Sequence, residues 1–159
     1  MTFTVTHDVP NNVGFRGMLL DAHDEFLANA YVLGRDGGVP MLYSDHGEST
    51  VTFPEDSGRW QNLWCRDDIR AMLRFHNAMH GLPERPIHSS DPMLAFGRGE
   101  RGLVVINKGA EWQPLSLAPG VLGAGRYHCT LHGHDMNVGM GAMILHVPPR
   151  QAQLWVRMA

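Results

Sequence analysis

Carboxylates and imidazoles stand where apolar runs give way to loops. Phe3 to Thr6 is a short, partly β-branched run ending at His7-Asp8, and Val39 to Tyr43 is a second, ending at Ser44-Asp45-His46. Asp8, Asp45 and Glu48 are thus the acids nearest the ends of two candidate strands, with Asn12 in the Pro-Asn-Asn-Val-Gly loop beyond Asp8. Neighbouring strands lie about 4.8 Å apart, so Asp8 and Asp45 could approach each other and share acid–base work. The alternative is that Asp45 and Glu48 are solvated loop acids or ion-pair partners. His128, His132, His134 and Asp135 form a further cluster. Zinc needs three or four such ligands converging on a tetrahedron, and His132 and His134, two apart, would share one face of a strand. That cluster is read as structural or incidental, and no metal site is assigned. His76 falls on an apolar helix face and is read as a satisfied core histidine.

The elements that must position these groups change character along the chain. The first eighty residues read as strand–helix–strand–helix. The runs at 3–6 and 39–43 suit buried strands of a parallel sheet. Between them Phe26, Leu27, Ala30, Tyr31 and Leu33 keep helical spacing over residues 24–33, and Gly34 and Gly37-Gly38 stop that helix. A long loop at 46–63 follows, of the length that is usually functional or disordered. The clearest helix comes next: Asp67 and Asp68 at its positive end, Ile69, Met72, Leu73, His76 and Met79 on one face, Gly81 and Pro83 at its close. Residues 81–86 read as a linker. Beyond it the period falls to two. Met93 to Phe96 and Leu103 to Asn107 flank a glycine-rich turn as a hairpin. Runs at 112–117, 127–131, 142–147 and 152–158 supply four more strands of an antiparallel sandwich.

Composition bounds the partners. Apolar residues make up 43% of 159, enough for a real core, and the formal net charge is −3. A nucleic-acid backbone would call for a basic patch instead. No stretch of roughly eighteen apolar residues suggests a membrane helix. The opening MTFTVTHD lacks the basic and apolar regions of a secretory signal, which leaves the compartment unassigned. Two cysteines, Cys65 and Cys129, are too few for a disulfide framework and are read as free thiols, mostly buried.

At this point several stretches look familiar together. FTVTHDVPNNVGFRG, residues 3–17, resembles the fourth signature region of the α-amylase family of glycoside hydrolases, where a strand carries a His-Asp pair at its C-terminal end. AYVLGRDGGVPMLYSDHGES, residues 30–49, resembles the next helix end and the eighth barrel strand. WCRDDIRAMLRFHNAMHG, residues 64–81, resembles the eighth helix. The segment from Met93 to Trp155, with FGRGERGLVVINKG and LHVPPRQAQLWV, resembles the C-terminal β-sandwich domain. The resemblance covers nearly the whole chain in the right order. It implies an α/β part at residues 1–81, the seventh and eighth units of a (β/α)8 barrel with its site at the strands' C-terminal ends, followed by an all-β sandwich at 87–159.

By resemblance, Asp8 matches the carboxylate that orients the sugar and stabilises the transition state, and His7 the histidine that hydrogen-bonds substrate hydroxyls. Asn12, Asp45 and Glu48 are placed with them as substrate contacts. The family's nucleophile and general acid lie on earlier strands, and no residue here matches either. Its calcium ligands are also upstream, so no cofactor is expected. A retaining glycosidase needs two carboxyl groups about 5–5.5 Å apart, so the resemblance implies weak or no hydrolysis by this chain alone. Aromatic faces stack on sugar rings. Trp60 and Trp64, near the long loop, are the candidates for an α-glucan (starch) contact, whereas Trp112 and Trp155 are read as core or interface. Met1 at the start of a barrel strand suggests truncation. Two βα units cannot close a ring, so Phe3, Val5, Val39, Met41 and Leu42 would lack cover and strand edges would stay open. Self-association into a dimer or tetramer is the expected remedy. Two other readings are an α-glucan-binding module and an enzyme whose site forms across a chain–chain interface from Asp8, Asp45 and Glu48.

Overall fold

The computed structural model describes residues 1–46 and 53–159. Apolar residues at alternating positions build its centre. Strands β1 (Glu84–Ser89), β2 (Met93–Arg98), β3 (Gly102–Asn107), β5 (Gly125–Cys129), β6 (Asp135–Val138) and β8 (Gln151–Arg157) form a six-stranded antiparallel sheet in the order β1-β2-β3-β8-β5-β6. Strands β4 (Gln113–Leu117) and β7 (Met143–Val147) pair antiparallel as a separate two-stranded ribbon. Even-numbered residues of the central strands, Phe96, Val104, Ile106, Ala152 and Leu154, face one way and meet the helices. Odd-numbered ones, Ala95, Leu103, Val105 and Trp155, face the other way and meet Leu115, Leu117 and Val147 of the ribbon. Every residue of β3 is buried because both its faces are covered. The expected sandwich is therefore present.

Two of its strands were not legible as strands. β1 begins inside the stretch read as a linker and takes up its second half, residues 84–86. It is an edge strand, which explains how it tolerates Pro86, and its register shifts between Pro86 and His88. β6 has four residues and follows a turn at Gly133, which has φ +71°. Asn107 holds the ribbon to the sheet. Its fully buried amide donates to the carbonyls of Glu111 (2.9 Å), Val147 (3.2 Å) and Pro148 (2.9 Å).

The two expected helices form on the sheet's other face. In α2 (Ala22–Gly34), the Asp21 carboxylate caps the start by accepting from the backbone N–H groups of His23 and Asp24. These bonds hold the Asp21 carboxyl below the usual carboxylate range. In α3 (Asp67–Ala78), Ile69, Met72 and Phe75 are fully buried. Leu27, Ala30 and Leu33 of α2 join them in one core with the sheet. Arg98, 2% exposed, ties this layer together. It donates from β2 to the carbonyls of Gly34 (2.7 Å), Met79 (3.0 Å) and Leu82 (3.1 Å).

The two expected parallel strands of the front half are reduced. Residues 3–6 and 39–43 form no ladder; one parallel bridge, Thr2 with Pro40, joins the segments. It consists of Thr2 N–H to Val39 O (2.9 Å) and Met41 N–H to Thr2 O (2.8 Å). A second parallel bridge links Asp45 and Gln61. Parallel ladders are stable where both faces are covered. Here Phe3 is 48% and Val39 70% exposed, and only Val5, at 3%, is buried.

Candidate functional site

The first extended segment ends where it was expected to, but the chain then turns helical at once. His7 leads into a one-turn helix, α1 (Asp8–Asn11). The turn puts Asn11 four residues on from His7, so its side-chain amide donates back to the His7 carbonyl at 2.7 Å. His7 Nε2 lies 3.2 Å from Asp8 Oδ1, and both side chains are open to solvent, at 76% and 61%. The same Asn11 amide reaches the Tyr43 hydroxyl at 3.5 Å, and that hydroxyl donates to Asp45 Oδ2 at 3.3 Å. The ends of the two extended segments are thus joined as His7, Asp8 and Asn11 on one side, Tyr43 and Asp45 on the other.

The two acids differ in presentation. Asp8 faces solvent, whereas Asp45 is 8% exposed and its carboxylate is engaged by Tyr43. Its backbone N–H is bonded to Trp60 O at 3.2 Å. Ser44 Oγ donates to the same carbonyl at 3.1 Å and accepts from Leu63 N–H at 3.0 Å. Asp45 belongs to the frame of the site, and Asp8 with His7 forms its accessible surface. Asn12 is exposed, and its side-chain oxygen accepts from Gly14 N–H at 2.9 Å, shaping the loop. Glu48 lies outside the described residues. Sequence reasoning missed Asn11 and Tyr43. The signals were the four-residue offset from His7 and the alternation of Tyr43 with Asp45, but their contact spans 32 positions.

The tryptophans divide otherwise than expected. Trp60, read as a sugar contact, is 1% exposed and donates through its indole N–H to Glu25 at 3.0 Å. Arg59 lies over its ring at 4.8 Å and also pairs with Glu25 at 2.7 Å. Burial leaves Trp60 no face for a ligand. Its anchoring arises from residues 35 positions away, which local loop composition could not reveal. Trp64 is 50% exposed, with its ring edge to His46 at 6.3 Å. Of the two read as core or interface, Trp155 is buried and Trp112 is 61% exposed, so Trp112 is no core residue of the single chain.

The histidine cluster is spent on packing. His128 pairs with Asp135 at 2.7 Å. Hydrogen bonds from Arg126 and then His128 hold the Asp135 carboxyl below its usual range. His132 is bonded to the Ala152 carbonyl at 2.9 Å, and His134 sits edge-on to Trp155 at 4.8 Å. No group of three or more His, Cys, Asp or Glu among the described residues could hold a metal ion. His76 Nδ1 meets the Leu33 carbonyl at 3.0 Å, as a core histidine would. Both cysteines are free; Cys129 is buried, which pushes its thiol up, and Cys65 is exposed, against expectation. No helix among the described residues is long and apolar enough to cross a membrane.

The family model described as "Alpha amylase, C-terminal all-beta domain" matches residues 87–157. An α-amylase of Aeromonas hydrophila is 52% identical over 108 residues, covering 68% of this chain and 23% of that protein. One of Clostridium acetobutylicum is 26% identical, covering 71% of this chain and 17% of that protein. The chain therefore spans less than a quarter of the length of these relatives. Among solved structures, wild-type alpha-amylase I from Eisenia fetida superposes with a TM-score of 0.73 at 21% identity, covering 98% of this chain and 40% of that one. An alpha-amylase from Malbranchea cinnamomea gives 0.69 at 17% identity, covering 98% and 36%. These likenesses speak to fold.

Proposed function

We propose, from the premise that residues 87–157 belong to the α-amylase family as its C-terminal all-beta domain, that this chain recognises α-1,4-glucan and does not hydrolyse it unaided. In this reading residues 1–81 are the seventh and eighth βα units of a (β/α)8 barrel. The two helices α2 and α3 on either side of the residue 39–46 segment, the parallel sense of the bridge at Thr2 and Pro40, and the structural likeness across 98% of the chain support it.

The observation that carries the function is the exposed His7–Asp8 pair held on a turn whose Asn11 is tied to Tyr43 and Asp45. An ionised carboxylate accepts hydrogen bonds from sugar hydroxyls, and an imidazole can donate or accept beside it. Asp8 would be the carboxylate that stabilises positive charge on the sugar ring, with His7, Asn12 and Trp64 as contacts. Hydrolysis with retention needs a second carboxyl group as nucleophile about 5–5.5 Å from an acid. Asp45 is withdrawn into the frame and engaged by Tyr43, which disfavours it as that partner. The exposed faces of Phe3 and Val39 beside a single bridge favour self-association, as a dimer or tetramer, that would extend this edge.

Electrophoresis through gels containing amylose, with a reducing-sugar assay on soluble starch alongside, tests the reading. Wild-type protein is expected to be retarded, Asp8→Asn less so, and both to release sugar at the blank rate. Lack of retardation in the wild type would overturn glucan recognition. Starch hydrolysis that Asp8→Asn abolishes would show instead a working site assembled between chains.

A further inference from the structure

Arginines gather at one end of the six-stranded sheet without acids to match them. The antiparallel register sets Gly102 of β3 opposite Val156 of β8. Arg101 and Arg157 continue that register one step outward, and the Arg157 N–H donates to the Arg101 carbonyl at 2.8 Å. Opposed residues share a face, and both line one cleft of about 280 Å³ with Met158 and Ala159. Like charges set opposite each other across a strand pair repel, and a guanidinium cannot shed its proton to escape.

A carboxylate would relieve the repulsion, as elsewhere in this chain. Arg98 has Asp36 at 3.4 Å and Arg126 has Asp135 at 2.5 Å. Among the described residues neither Arg101 nor Arg157 is in an ion pair. Glu100, on the same turn, is fixed through its backbone: its carbonyl accepts from the Tyr127 hydroxyl at 2.6 Å and from Gly123 N–H at 3.0 Å. Arg85 adds a third guanidinium beside that turn, donating to the carbonyls of Gly99 (2.8 Å) and Val121 (3.4 Å). Arg157 is half-buried all the same, and glycines make room for it. A Cβ at Gly123 would stand 2.8 Å from its Nη1, and one at Gly125, where φ is +149°, would stand 2.9 Å from its Nε. A cation held in place, partly out of water and without a counter-charge, is costly.

The chemistry that offsets this cost is an anion with several oxygen acceptors. A guanidinium fork donates paired N–H bonds to a phosphate, and a tetrahedral dianion can bridge two forks at once. Nucleic acid fits less well. The formal net charge of −3 opposes a polyanion, and one small cleft gives no stripe of cations for a backbone to follow.

We infer that Arg101 and Arg157 form a binding site for a phosphate group, free or carried on a small ester. Occupation would turn a repelling pair into a bridged one and hold the end of β8 to the turn between β2 and β3. None of these residues belongs to the His7–Asp8 site, and the inference does not depend on the glucan reading.

Thermal unfolding in inorganic phosphate, glycerol phosphate and sodium chloride, at matched ionic strength so that general screening is equal, tests it on wild type and Arg101→Gln. Wild-type Tm should rise by about 3–5 °C in inorganic phosphate at roughly ten times its Kd, and should not rise in chloride. A similar rise in glycerol phosphate would show that the ester is accepted too, and none there would restrict the site to the free anion. Phosphate also stabilises proteins by exclusion from their surface, but exclusion acts on wild type and variant alike. Arg101 is exposed, so the variant should fold, and in chloride its Tm should equal or exceed that of wild type because a repulsion is gone. Its affinity for phosphate should be about tenfold weaker or more, as loss of one charge-assisted contact predicts. Phosphorus-31 line broadening by wild-type protein gives a readout independent of the variant. Equal shifts in phosphate and chloride, a phosphate shift in Arg101→Gln as large as in wild type, or no line broadening would each overturn the site.

Discussion

Backbone polar groups find their partners differently in the two halves of the molecule. From Glu84 onward nearly every strand is bonded along its length, β2, β3 and β8 in unbroken six-residue registers. Before Glu84 the extended segments share a bridge at Thr2 and Pro40 and another at Asp45 and Gln61. Order there comes from helices pressed on the sheet and from ionic side chains: Arg16 with Asp56 at 2.8 Å, Arg59 with Glu25 at 2.7 Å. The sheet half thus pairs its own backbone, and the front half is held chiefly by the core it shares with the sheet. The accessible His7–Asp8 pair belongs to the second kind, the half expected to open more readily.

Substitutions in each half should separate the two sources of order. Trp155→Ala should have the largest effect. It empties a fully enclosed place between sheet and ribbon and strips Gln153 of its indole donor at 3.1 Å. A loss of about 3–5 kcal/mol in denaturant unfolding is expected, and a loss under about 1 kcal/mol would mean that the sheet is not the seat of stability. Arg98→Met comes next. It takes the Arg98 donor from the buried Gly34 carbonyl and leaves the Met79 carbonyl with the Leu82 N–H alone, and should cost about 2–3 kcal/mol. Hydrogen exchange should rise in α2 and α3 well before the sheet, and uniform acceleration across both halves would mean that they open as one unit. Val39→Asp should be smallest. At 70% exposure it should change single-chain stability by less than about 0.5 kcal/mol. Light scattering at high concentration should nonetheless show less assembly than wild type; unchanged assembly would place the contact elsewhere.

Legibility in the sequence followed the source of order. The hairpin of β2 and β3 was readable because alternating apolar residues flank a glycine-rich turn, and α3 because its apolar spacing and acidic start agree. β1 was not, because an edge strand carrying Arg85, Pro86 and His88 shows little apolar periodicity. The runs at 3–6 and 39–43 have the composition of buried strands, yet pairing depends on neighbours that composition does not specify. The same holds at the site. His7 and Asp8 stood out as a local pair, while Asn11 and Tyr43 matter through a contact 32 positions apart. Trp60 is buried because Glu25, far along the chain, engages it together with Arg59, while Trp112, read as core or interface, is exposed just before β4 begins.

The position of β8 between β3 and β5 has a consequence for how the molecule is made. A ribosome releases β1 to β3 first and β5 and β6 later, and neither group can bond to the other, since each waits for the strand that separates them. Until residues 151–157 emerge, one long edge of β3 keeps its backbone N–H and C=O groups unpaired. Closure is then a single late zipping event between two waiting sets of strands. Nascent chains stalled short of Gln151 would be the ones that clump or draw chaperones, whereas those stalled just after Arg157 is exposed would not.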